Sequence, residues 1–199
     1  MTFSELDVFN YFLTFSSIIL GLGTTCLLDG LSKLIQTRKI IKIYWVHLAW
    51  ILIIFLLQLE YWWSQWRIAS SAHEWTLLLF VVHIMPIMCL FLMSDIIIPD
   101  DFIEQEGDFK LDLFFYSNIR NWLFLLITIY LICAGLQQVL IGNERLFSFN
   151  NFYRGVSACL SLSLFFSKNR LLHSIVAILG LLILGSYTLT FSFKPLASL

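Results

Sequence analysis

Residues 75–98 read WTLLLFVVHIMPIMCLFLMSDIII, 24 positions in which Asp95 is the one charged side chain. A helix apolar on every face must be surrounded by protein or lipid, and about 20 such residues cross the roughly 30 Å of bilayer hydrocarbon. Outward from this stretch, residues 8–35, 41–66, 119–141, 149–166 and 171–193 repeat the pattern, broken by short polar connections. The predicted fold is all-α: a polytopic transmembrane helical bundle of about six spanning helices, one domain over residues 1–199. The one long polar connection is residues 100–117.

Composition agrees. Hydrophobic residues make up 59% of the chain and charged ones 13%, with a mean hydropathy of +0.86, whereas soluble domains need a polar face on most helices. The lipid bilayer is therefore the expected surroundings. A net charge of −1 gives no field to attract nucleic acid. Cys26, Cys89, Cys133 and Cys159 stand singly in apolar stretches, with no C-x-x-C, and are expected to be small packing residues. The opening segment has two acids, Glu5 and Asp7, and no base, unlike a secretory signal, so the first apolar segment is expected to be retained.

Orientation follows from Lys and Arg, which are kept in the cytoplasm. With the N-terminus outside, Lys33, Arg38, Lys39, Lys42, Lys110, Arg120, Lys168 and Arg170 fall inside. Arg67, Arg145, Arg154 and Lys194 fall outside. Eight against four favours N-out/C-out. Aromatic residues that prefer the headgroup level mark the same boundaries: Tyr44, Trp45, Phe114, Phe115, Tyr116 and Trp122 inside, and Trp62, Trp63, Trp66, Trp75, Phe149, Phe152 and Tyr153 outside. Trp50 is left at mid-depth and is expected to pack on another helix.

Polar groups within the spans are the candidates for function. Ser17, Gly21, Thr25, Asp29 and Lys33 recur every four residues in the first span, a small-residue face predicted to pack on a neighbouring helix, with Asp29 and Lys33 paired one turn apart. In the second span His47, Ile54, Gln58, Tyr61 and Gln65 share one direction, predicted to face protein, while Glu60 points about 160° away from Gln58 at 100° per residue. Helical rise allows an inner cluster of Asp29, His47 and Asp95, with His173 beside it, and an outer cluster of Gln58, Glu60 and His83, with Gln137 or Gln138 beside it. Pro86, one turn from His83, is expected to kink its helix and open backbone groups to a partner. Asp29, His47, Gln58, Glu60, His83 and Asp95 are thus the candidate polar pathway. Each cluster has a plainer reading, hydrogen bonding between packed helices.

No cofactor or metal is expected. His47 and His83 differ by more than about 10 Å in depth, which does not suit haem held by two imidazoles. The acids of residues 100–108 surround Gly107, but placing that glycine at position six of a calcium loop puts Leu113 where a carboxylate is needed. There is no H-E-x-x-H, G-x-S-x-G or G-x-x-x-x-G-K, so no enzyme is expected. Residues 29–33 approach the D-G-x-x-A-R segment of CDP-alcohol phosphotransferases but are one residue short, and no paired aspartates follow. Residues 111–122 are predicted to form an inner-surface helix, with Phe114, Phe115 and Ile119 toward lipid.

The strings at residues 17–23 (SIILGLG), 44–50 (YWVHLAW) and 58–63 (QLEYWW), followed by residues 112–120, resemble a group of short bacterial inner-membrane proteins with no associated activity. The resemblance implies a multi-pass protein of the bacterial plasma membrane. It implies nothing on mechanism. Two functions remain expected from the residues: a permease or channel for a small solute or ion, or a non-catalytic membrane partner or sensor acting through the acidic inner loop, toward a basic protein or a second copy of the chain. A permease needs a hydrated route joining the two clusters, whereas a partner protein does not.

Overall fold

The computed structural model describes residues 5–39, 41–69, 75–99 and 109–192. The acidic stretch 100–108 lies outside them. Among the described residues the chain is mostly helical, with two strand fragments and short turns between the elements: α1 Glu5–Gln36, β1 Ile41–Lys42, α2 Trp45–Ala69, α3 Leu77–Ile96, β2 Phe109–Lys110, α4 Leu111–Phe114, α5 Arg120–Leu140, α6 Phe149–Phe166 and α7 Arg170–Ser192. A kinked segment, Phe115–Ile119, with non-helical dihedrals at Ser117 (φ −71°, ψ −150°), joins α4 to α5. Four of these helices, α1, α2, α3 and α5, are long and apolar enough to cross a membrane.

The predicted spans and the helices agree within a few residues, with one correction: residues 41 and 42 do not open the second helix. They form β1, which pairs in parallel with β2 through Ile41↔Phe109 and Lys42↔Lys110. Local chemistry sets several ends. The Thr76 hydroxyl accepts from the Leu79 amide at 3.3 Å to cap α3, and Ser148 accepts from Asn151 at 3.1 Å to cap α6. Asn143, after α5, takes a positive φ of 53°, which asparagine tolerates well.

Helix α3 lies between α1 and α5, α5 also carries α6, and α2 carries α7. The β1–β2 pair fastens the α1–α2 connection beside the start of α4. At that end, too, the α6–α7 turn is held, because Arg120 Nη1 and His173 both reach the Ser167 carbonyl oxygen, each at 2.9 Å. At the opposite end Phe12 of α1 stacks edge-on against Trp75, ahead of α3, with centroids 4.6 Å apart.

The face that α1 buries differs from the one its small residues predict. Gly21 is exposed, and a Cβ added there would meet nothing within 4 Å; Thr25, Asp29 and Lys33 are exposed with it. The buried positions are Ser16, Leu20, Gly23, Leu27, Gly30 and Leu34. They alternate by four and three, the seven-residue seam of helices that interlock at a shallow angle, with small residues and leucines taking turns. Leucines bury more apolar area than Ser17, Gly21 and Thr25 do, and they set the rotation of the helix. Gly23 lies against both neighbours: a Cβ there would lie 2.8 Å from Gln58 Nε2 and 3.4 Å from the Phe91 Cα.

Candidate functional site

The polar face predicted on α2 is buried throughout: His47, Gln58, Tyr61 and Gln65 all have 4% or less of their surface exposed. The structure divides His47, Gln58 and Tyr61 between two networks and an aromatic hub, while Gln65 Nε2 donates to the Tyr61 carbonyl at 3.2 Å and Glu60 opens elsewhere.

The first network ties α1, α2 and α3. The Thr24 hydroxyl donates to Gln58 Oε1 at 2.7 Å, Gln58 Nε2 donates to Ser94 Oγ at 2.6 Å, and Ser94 donates to the Leu90 carbonyl at 2.8 Å. Both ends of the Gln58 amide are satisfied, as a polar group away from water requires.

The second network centres on His83. Gln137 Nε2 lies 2.9 Å from His83 Nδ1 and 3.0 Å from the Tyr61 hydroxyl, so the amide donates to both. Tyr61 in turn donates to the backbone carbonyl of His83 at 2.9 Å. With Nδ1 accepting, Nε2 carries the proton and donates to Ser16 Oγ, 3.1 Å away, whose hydroxyl donates to the Phe12 carbonyl at 2.7 Å. Every donor in this chain finds an acceptor when the imidazole is neutral. The His83 carbonyl, three residues ahead of Pro86, is thus bonded from another helix, although the carbonyl that the missing Pro86 N–H leaves free is that of Val82.

The inner polar cluster does not form. Asp29 is exposed and pairs with Lys33 at 2.7 Å, as the one-turn spacing predicts, and Asp95 is exposed as well. His47 instead meets Phe114 and Phe115 at centroid distances of 5.8 and 6.0 Å, and neither ring nitrogen has a hydrogen-bond partner among the described residues. Phe115 is fully buried rather than turned to lipid. It is the centre of a hub that includes Tyr44, Tyr116, Phe124 and His173, and Trp50 continues it by stacking edge-on against Phe124 at 4.9 Å. The chain is kinked just after Phe115, where Ser117 takes a non-helical φ of −71° and ψ of −150°, so the residues on the two sides of the break do not follow one helical periodicity. Alternating apolar positions alone do not announce it.

The outer cluster forms only in part. His83 and Gln137 meet, Gln58 belongs to the other network, and Glu60 opens into a cavity of about 360 Å³ between α2, α5, α6 and α7. Thr188 donates to Glu60 Oε1 at 3.2 Å. Arg154 of α6 also lines this cavity, bonded to Glu144 Oε2 at 3.1 Å and to Asn151 Oδ1 at 2.9 Å. Glu144 accepts from Ser148 and Asn150 as well. Burial raises its carboxyl pKa, but these donors and the Arg154 charge outweigh burial and hold it below the ordinary value. The part played by Arg154 and Glu144 was not evident in the sequence, where one base near the start of an apolar stretch reads as a boundary charge.

The cysteines are all unpaired; Cys89 is buried, Cys26 and Cys133 are half-buried, and Cys159 is exposed rather than packed. Among the described residues no three His, Cys, Asp or Glu side chains gather closely enough to hold a metal ion. The chain matches no known family model, no curated protein and no solved structure.

Proposed function

We propose that the chain is a multi-pass protein of a bacterial plasma membrane, with six spans and both termini outside, that acts without catalysis as a membrane partner or sensor. Helices α6 and α7 would supply the fifth and sixth spans; α7 is apolar over Arg170–Ser186, and the one base near the start of α6 is neutralised by Glu144. The observation that carries the reading is the layer between the Gln58 and His83 networks and the Phe115 hub. Ile54 and Ile127 are buried there beside Trp50 and Phe124 of the hub, and the Gln58 and His83 networks bond among their own members, while the His47 ring nitrogens and Trp50 Nε1 have no hydrogen-bond partner among the described residues. Such an interior transmits a change in packing from one end to the other more readily than it passes a hydrated solute. The partner on the inner side would be a basic protein at residues 100–117 or a second copy of the chain.

A second reading, a permease for a small solute or ion, is favoured by one feature, the Glu60 carboxylate lining a cavity in the outer half of the bundle. Reconstitution into proteoliposomes separates the two. The partner reading expects proton, ion and small-metabolite fluxes equal to those of empty vesicles. A saturable flux lost in folded Glu60→Gln would favour the permease.

A further inference from the structure

We propose that the cavity between α2, α5, α6 and α7 is a binding site for a small organic cation, a quaternary or protonated amine that carries apolar groups. The assignment adds a ligand to the reading above and depends on neither topology nor flux. A volume of about 360 Å³ falls in the range of small-molecule sites, roughly 300 to 1,000 Å³. Its lining combines one carboxylate, Glu60, with four aromatic rings, those of Tyr61, Tyr130, Phe149 and Tyr153.

Charge decides the class of ligand. Among the described residues Glu60 has no basic partner; its one hydrogen bond is the Thr188 hydroxyl on Oε1. The base in the wall, Arg154, is already bound to Glu144, so the pair is neutral and, among the described residues, Glu60 supplies the uncompensated charge. A carboxylate in apolar surroundings is stabilised most by a cation brought beside it. Aromatic faces attract the same charge. A metal ion fits poorly, because hard cations need several oxygen ligands and no cluster of three such residues is present among the described ones. An anion would compete with Glu144 for Arg154. Leucine and isoleucine side chains of α2, α5 and α7 complete the wall and suit hydrocarbon substituents on the nitrogen.

Calorimetric titration of the purified full chain in non-ionic detergent with benzyltrimethylammonium tests the assignment. Saturable binding is expected, weakened about 10-fold or more by Glu60→Gln and also by Tyr153→Ala. Glutamine keeps the acceptor for Thr188, so the fold should persist, which an unchanged melting temperature would verify. Phe147→Ala, at an exposed position outside the cavity, should bind as wild type does. Absence of saturable binding, equal affinity in folded Glu60→Gln, or preference for benzenesulfonate over the ammonium probe would overturn it.

Discussion

His83 Nδ1 accepts a hydrogen bond from Gln137 Nε2 at 2.9 Å, joining α3 to α5 across 54 residues of sequence. The same amide nitrogen donates to Tyr61 of α2. One glutamine thus holds three helices, and its removal leaves two buried acceptor sites without a donor.

Gln137→Leu should therefore destabilise the folded protein by about 1 to 2 kcal/mol. Gln138→Leu, at a half-buried position, should cost less. Thermal unfolding in detergent compares them, and equal losses would remove the special standing of Gln137.

On α1, Gly23 in the buried seam and Gly21 outside it should behave oppositely. Gly23→Ala forces a methyl group against Gln58 and the α3 backbone, so a loss of about 1 to 3 kcal/mol is expected. Gly21→Leu should leave the stability of the single chain unchanged, since that position faces open space. A melting series over both variants would contradict this packing if Gly21→Leu proved the more damaging.

This pair shows how much the sequence revealed. Helix positions were legible because length and apolar composition decide them, and the buried face of α2 was legible because glutamines and a tyrosine recur on one side of an apolar helix. The rotation of α1 was misread, since Ser17, Gly21 and Thr25 make a regular row, while Ser16, Gly23 and Gly30 form a second row interleaved with Leu20, Leu27 and Leu34. The inner cluster failed for a related reason. Depth placed Asp29 and His47 at one level, but Asp29 follows the outward face of α1 to Lys33. The Glu60 cavity depends on Arg154 being neutralised by Glu144, ten residues earlier in a different element, which spacing does not reveal.

His47 makes the hub a test of packing against polarity. Both ring nitrogens lack protein partners among the described residues, and the ring stacks on Phe114 and Phe115. His47→Phe should match or exceed wild-type stability, whereas His47→Ala should lose about 2 to 4 kcal/mol by opening a void. A large loss in His47→Phe would mean that the imidazole has a polar role in the hub.

Acid should loosen the α5–α6 connection through Glu144. Its folded pKa lies below the ordinary 4.5, so its contribution is present above that value and is lost as pH falls through the lower, folded one. Wild type should be more stable than Glu144→Gln at neutral pH, and the gap should shrink as the solution is taken below about pH 4.5. A gap that stays constant into strong acid would show that the carboxylate charge is not responsible.

Topology tests the account most directly, because the sides of the cavity and of the aromatic hub both depend on it. In a chain with Cys26, Cys89, Cys133 and Cys159 replaced by alanine, single cysteines at Phe147 and Lys39, both exposed, can be challenged in intact cells with a membrane-impermeant maleimide. Phe147→Cys should label at once, and Lys39→Cys only after the membrane is permeabilised. Immediate labelling at Lys39 with protection at Phe147 would invert the orientation, and immediate labelling at both would contradict a bundle that separates these two ends across a bilayer.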